Sequence, residues 1–160
     1  MNAIELLESQ HEEVKKLFKK CEKASGESKR QLFEQIADAL AVHASIEEKH
    51  FYPATKSART EDLLQEAVEE HLSVKRIISD LLEVDPAEGQ FEAKLTVLQE
   101  QVEHHVQEEE GELFPKVKKI LSGEELEELA VVMEDAADEL KAGGSPRDAV
   151  PGETGEAAPI

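Results

Sequence analysis

The sequence is short of several things, and each shortage narrows what it can be. It has one cysteine, Cys21, in 160 residues. No intramolecular disulfide can form, and neither a cysteine-rich zinc site nor an iron–sulfur cluster can be built. Any metal must use other ligands. Basic residues are also scarce: 18 Lys and Arg stand against 37 Asp and Glu, for a net charge of −19. Such a surface repels DNA, RNA and anionic membrane, whose binding depends on clustered positive charge, so no nucleic-acid partner is expected. No apolar run approaches the ~20 residues of a membrane span, and the start Met1-Asn2-Ala3-Ile4-Glu5 has no basic n-region. A cytoplasmic protein without a membrane partner is the expectation. Hydrophobic content is 39%, below the globular norm but above that of a wholly disordered chain, and the length suits one domain.

Glycine and proline are sparse until the last residues. Gly143, Gly144, Gly152 and Gly155, with Pro146, Pro151 and Pro159, all follow Ala142. Residues 143–160 are therefore expected to be a disordered tail, and 1–142 a helical bundle. Upstream, each interruption reads as a helix boundary: Ser25-Gly26-Glu27-Ser28, Tyr52-Pro53 through Thr60, Asp85 through Gly89, and Leu121-Ser122-Gly123. Ser28 with Gln31, Asp85 with Glu88 and Ser122 with Glu125 are candidate capping boxes. Five helices follow, and the apolar period within them is helical rather than alternating.

The first four helices carry the stripes Ile4, Leu7, His11, Val14, Phe18, Cys21; Leu32, Ile36, Leu40, His43, Glu47, His50; Leu64, Ala67, His71, Val74, Ile78, Leu81; and Phe91, Leu95, Leu98, Val102, His105, Glu109. Every stripe contains a histidine. The fold class is all-α, an up-down-up-down four-helix bundle. A fifth helix over 123–141, with Leu126, Leu129, Val132, Met133, Ala136 and Leu140 inward, is expected to pack across the outside.

The chain also repeats itself. His43-Ala-Ser-Ile-Glu47-Glu48-Lys-His-Phe-Tyr52-Pro53 matches His105-Val-Gln-Glu-Glu109-Glu110-Gly-Glu-Leu-Phe114-Pro115, and His11-Glu-Glu-Val14 matches His71-Leu-Ser-Val74. Residues i and i+4 share a helix face, so His43 with Glu47 and His105 with Glu109 each aim an imidazole and a carboxylate inward. His11 and His71 come from the other two helices. Burying two unpartnered carboxylates costs several kcal/mol each, roughly, and a metal would offset that. Mixed imidazole and carboxylate ligands suit iron, manganese or zinc, and six ligands exceed one tetrahedral zinc. The two-fold repeat points to two metals, each with two imidazoles and bridged by both carboxylates, in similar ligand fields. Without metal, at least one of the two carboxylates is expected to have a raised pKa.

This pattern resembles the hemerythrin family, in particular the hemerythrin-like HHE cation-binding domains, over roughly residues 4–118. The resemblance implies a non-haem di-iron centre, two iron ions with an oxo or hydroxo bridge, held by His11, His43, Glu47, His71, His105 and Glu109. It implies a small neutral ligand: dioxygen, hydrogen peroxide or nitric oxide. Oxygen-carrying hemerythrins have a second histidine one turn after the third-helix ligand, where this chain has Lys75, and an aspartate at a different spacing in place of Glu109. The similarity is closer to bacterial hemerythrin-like proteins associated with oxidative or nitrosative stress, with a catalase-like activity as one outcome. A metal store without catalysis and a reversible oxygen carrier or sensor are the alternatives. Lys75 and His50 are candidates for supporting roles beside the metals. Tyr52, Cys21 and the five phenylalanines read as packing residues, Glu108 and Glu110 as solvated, and His104 as pointing away.

Overall fold

Helix boundaries follow local capping chemistry, and the computed structural model, which describes all 160 residues, shows where that chemistry acts. Helix α1 spans Ala3–Glu22 and opens on a reciprocal cap: the Glu5 backbone N–H donates to the Asn2 side chain, and the Asn2 N–H donates to the Glu5 carboxylate. Helix α2, Gly26–Ile46, starts a turn earlier than the Ser28 cap would place it, with Gly26 at φ +59°, a conformation in which glycine meets no Cβ penalty. Helix α3 is Glu61–Leu82 and α4 is Gly89–Glu108. Asp85 closes the turn before α4 by accepting the Ala87 N–H at 2.8 Å, so it does not cap the helix itself. Helix α5, Gly123–Ala142, has the expected Ser122/Glu125 box.

The fold is all-helical, without strands, and α1 to α4 form the expected bundle, α1 packing chiefly on α2 and α3 on α4. Helix α5 lies across α1 and α2. Its buried row is Leu126, Ala130, Met133 and Ala137, while Val132 is 48% exposed. The small alanines allow close approach, and that rotates the helix away from the arc expected from its larger residues. In α2 it is Phe33, not Leu32, that is buried. Phe18, Phe33, Phe51, Phe91, Phe114 and Cys21 are all buried, as expected of packing residues.

Two departures from regular helix occur at matching positions of the repeat. Beyond α2 the chain widens into a π-turn over Glu47–Phe51 before the helical turn Tyr52–Thr55; beyond α4 it does the same over Glu109–Leu113 before Phe114–Ile120. The Tyr52 N–H donates to the Glu47 carbonyl, and the Phe114 N–H to the Glu109 carbonyl, each five residues back. Pro53 and Pro115 follow directly. A proline cannot donate to the carbonyl four residues earlier and its ring crowds that carbonyl, so one wide turn relieves what would otherwise be a break.

The segment 143–160 departs from the expected disordered tail. Pro146–Glu153 forms a 3-10 strap that packs on α2 and α3. Val150 is 2% exposed. Arg147 donates to Asp38 through its backbone N–H at 2.9 Å and its guanidinium at 2.8 Å, and Arg76 donates to the Thr154 carbonyl at 3.0 Å. One apolar anchor and these charge-assisted bonds order a stretch whose glycine and proline content alone suggests none.

The apolar interior divides into two clusters, one around Ile4, Phe51, Leu64 and Met133, the other around Phe18, Phe33, Ile78 and Leu98. Between them lies a polar layer.

Candidate metal centre

The layer is built from one histidine per bundle helix and the carboxylate that opens each π-turn. His11, His43, His71, His105, Glu47 and Glu109 are all buried, Glu47 completely and Glu109 to within 2%. They fall into two overlapping sets, His11 with His43 and His71 with His105, and both sets include Glu47 and Glu109. Within each set the donor atoms lie within 4.8 Å of one another. The imidazoles pair through Nε2, at 3.2 Å for His11–His43 and 3.2 Å for His71–His105.

Each carboxylate spans the two pairs. Glu47 Oε1 is 3.1 Å from His43 Nε2 and 3.1 Å from His71 Nε2. Glu109 Oε1 is 3.2 Å from His11 Nε2, and its Oε2 is 3.1 Å from His105 Nε2. The sequence-predicted six therefore converge.

All four rings face inward through Nε2 because each Nδ1 is engaged from outside. His11 Nδ1 meets Glu110 at 2.7 Å, His43 Nδ1 meets Gln10 at 2.7 Å, His71 Nδ1 meets Glu48 at 2.8 Å, and His105 Nδ1 meets Glu70 at 2.7 Å. Such partners fix the tautomer and raise the basicity of the inward nitrogen. They obey the repeat: Glu48 and Glu110 follow the two bridging carboxylates, while Gln10 and Glu70 precede the histidines of α1 and α3. Sequence reasoning passed over them, though Glu48 and Glu110 stood in register in the repeat itself. Glu110, read as solvated, is partly exposed yet bonded to His11.

Tyr52 was read as packing, and its hydroxyl is instead inside the cluster. It donates to Glu109 Oε2 at 2.5 Å, and its oxygen lies 3.2 Å from Glu47 Oε1 and 3.3 Å from His71 Nε2. The π-turn explains this, because its extra residue places i+5, not i+4, over Glu47. The equivalent Phe114 stacks on His11, ring centroids 6.1 Å apart, and contributes no hydroxyl. The same wide turn moves His50 out of the seam, and His50 is half-buried outside both sets of donors. His104 is 63% exposed beside Glu70 and Glu108.

Lys75 is buried and does not reach inward to the Nε2 atoms. Its ammonium donates to both Glu48 oxygens, at 2.9 and 3.1 Å, and pairs with Glu153 of the strap at 3.1 Å. It thus acts on His71 through Glu48.

Charge inside the layer is balanced by mutual contact. Burial pushes Glu47 up, but His43, His105 and His71 together hold it well below the usual carboxylate range. Burial and the Glu47 charge push Glu109 up, and His105 and His11 bring it below its ordinary value. The expectation of a raised carboxylate is therefore overturned: four imidazoles outweigh the repulsion between two carboxylates. Burial pushes His105 down, yet Glu109, Glu47 and Glu70 carry it well above the ordinary histidine range, and His71 and His11 are raised likewise by Glu47 and Glu48 and by Glu109. Burial, then the two carboxylates, keeps the Tyr52 phenol protonated far above its usual range.

These residues fit a bound metal. Four imidazoles point Nε2 inward, two carboxylates are shared between the pairs, and the buried oxygen Glu47 Oε2 has no hydrogen-bond partner. The donor chemistry is that of iron, manganese or zinc.

The chain is 30% identical to a Mycobacterium kansasii hemerythrin HHE cation-binding domain-containing protein whose crystal structure superimposes with a TM-score of 0.77, covering 94% of this chain and 97% of that one. An uncharacterized Mycobacterium tuberculosis protein, Rv2633c, is 29% identical over 149 residues, 91% of this chain and 90% of its own length. A Nostoc protein named DNA nickase is 28% identical over 142 residues, 88% of this chain but only 40% of that protein. This chain thus spans well under half of that relative. No helix is long and apolar enough to cross a membrane. The family model for the hemerythrin HHE cation-binding domain matches residues 2–117, the stretch that holds every histidine and carboxylate of the buried layer, and the chain belongs to that family.

Proposed function

We propose that the chain holds two iron ions, one between each imidazole pair, bridged by Glu47 and Glu109, and that it decomposes hydrogen peroxide. The observation that carries the dinuclear reading is the sharing of both carboxylates: each one touches a histidine of either pair at 3.1 to 3.2 Å. Bound iron would supply Lewis acidity and a one-electron change at each of two adjacent positions. The protein supplies the rest. The Nδ1 partners orient the imidazoles and raise the basicity of the inward nitrogens, and the Tyr52 hydroxyl, protonated throughout the working pH range, donates to Glu109 and steadies its carboxylate. Lys75 and Glu48 form a buried pair behind His71, a place to hold a proton near the reacting ligand. Apolar side chains flank the imidazoles, each of which is at most 7% exposed. DNA cleavage, the activity in the Nostoc relative's name, finds no support in a chain of net charge −19.

Metal analysis with optical spectroscopy tests this reading. Protein produced with iron available should contain two irons per chain, absorb in the visible when oxidised, and consume added peroxide. One metal at saturation overturns the dinuclear assignment. A colourless zinc-filled protein that leaves peroxide untouched favours the metal-store alternative. A reduced protein that takes up dioxygen, and releases it under vacuum, establishes a carrier instead.

A further inference from the structure

A dioxygen or peroxide molecule needs little room, about that of one or two waters, and a water occupies ~30 Å³ of liquid. The space next to the candidate metal centre is much larger. A pocket of about 140 Å³ opens from the inner faces of His11, His43, His71 and His105. That is close to the ~150 Å³ of an apolar cavity able to admit benzene. An apolar side runs over two helical turns: Val14, Leu40, Val74 and Val102 each stand three residues from a histidine of the layer, Ile78 stands seven from His71, and Val150 of the strap covers it. Seven residues at 1.5 Å each make a depth of about 10 Å. The rest of the lining is polar: the four imidazoles, Gln10, Ser45 and Lys49, and Lys75 paired with Glu153 of the strap.

From the size and lining of this space we propose that the pocket binds a compact neutral organic molecule, an apolar body about the size of one benzene ring carrying a single hydroxyl or hydroperoxyl head that faces the metal layer. The proposal deepens the peroxide reading by naming a ligand class for the same site, and it rests on that reading only for the head's orientation. A charged ligand is disfavoured because a charge among the valines and leucines would be desolvated and the Lys75 ammonium is already paired with Glu48 and Glu153. A long-chain ligand is disfavoured because the strap closes the far end, held by Arg147 on Asp38 and Glu153 on Lys75. The strap thereby sets the upper size of what enters.

Benzyl alcohol is a suitable probe, being unreactive and of the stated size. Titrated into the metal-loaded protein by calorimetry, it should bind with one site per chain. Val150→Phe fills the pocket from the strap and Val102→Phe fills it from α4; each should weaken binding at least tenfold with two metals per chain retained. No binding to the unaltered protein up to the solubility of the alcohol overturns the proposal, and so does binding that neither filling variant weakens. If one variant fails to fold, the other decides. Peroxide consumption is measured on the same samples: alcohol binding without it refutes the peroxide reading alone, and consumption without alcohol binding refutes this ligand class alone.

Discussion

The Tyr52 hydroxyl lies at the one point where the two halves of the layer differ most, and removing it is an informative perturbation. Tyr52→Phe deletes one oxygen and leaves a ring of the same shape, so no cavity is added. The loss is a hydrogen bond of 2.5 Å to the ionised Glu109, from an oxygen that also lies 3.2 Å from Glu47. Bonds to charged groups contribute about 1.5 to 3 kcal/mol. The lower end applies here, because Glu109 Oε2 keeps His105 Nε2 at 3.1 Å and Glu47 Oε1 keeps two histidines. For a domain of this size a loss of about 1.5 kcal/mol lowers the melting temperature by roughly 3 to 6 °C. The assay is thermal unfolding of chelator-treated protein followed by circular dichroism. Phe114→Tyr is the matched control: the repeat should bring its hydroxyl from the opposite side toward Glu47 Oε2 and Glu109 Oε1, the two carboxylate oxygens that the Tyr52 hydroxyl does not reach. Adding it to Tyr52→Phe should recover part of the loss. A change below about 1 °C for Tyr52→Phe in metal-free protein refutes the placement of the hydroxyl between the carboxylates.

Three further outcomes follow from the same geometry. His105 is backed by the Glu70 carboxylate and His43 by the Gln10 amide, and such partners typically change metal affinity 10- to 100-fold, roughly; Glu70→Gln should release one metal to a competing chelator sooner and Gln10→Glu should retain one longer, whereas identical release curves refute a role for these partners. In metal-free protein the raised His11, His71 and His105 contribute stability that is present below their ordinary 6.5 and is lost as pH rises through their folded values. The lowered Glu47 and Glu109 contribute stability present above 4.5 and lost as pH falls through theirs. The urea midpoint should thus peak between those limits, and a midpoint that climbs steadily to pH 9 contradicts the pairing. Finally, Glu48→Gln leaves the Lys75 ammonium with only the half-exposed Glu153, so it should destabilise more than the double variant Glu48→Gln/Lys75→Met; equal losses by urea denaturation refute that coupling.

The bundle and the six converging residues were legible because they obey one rule, the helical period. A histidine or glutamate within an apolar heptad stripe is committed to the interior wherever the helix goes, and the repeat doubled that signal. Helix ends were less legible. Ser28 and Asp85 have the right chemistry for caps, but the start of α2 is set by Gly26 at positive φ and that of α4 by a turn that uses Asp85 one step earlier. The strap was illegible for a different reason. Its composition speaks only of local preference, whereas its order comes from Val150 entering a gap between α2 and α3 and from Arg147 meeting Asp38, more than a hundred residues away in sequence.

Where the helical period breaks, the reading of the site broke with it. A register of 3.6 residues puts His50 in the seam and Tyr52 at the margin; one extra residue in the π-turn exchanges them. The prolines at 53 and 115 were visible in both halves, yet Pro53 was read as a helix boundary and Pro115 only as part of the repeat, neither as the cause of a widened turn that keeps the helix going. The repeat also suggested two equivalent metal positions, because its ligands are equivalent. The residues around those ligands are not: Gln10 stands opposite Glu70, and Phe114 opposite Tyr52. Both differences fall in the same direction. The His71–His105 side has a carboxylate behind each imidazole and a phenol at its edge, while the His11–His43 side has one carboxylate, one amide and a plain ring. A duplicated hairpin therefore gives matched inner residues in unmatched surroundings, and on the proposed dinuclear reading such surroundings would give the two metal positions unequal affinities.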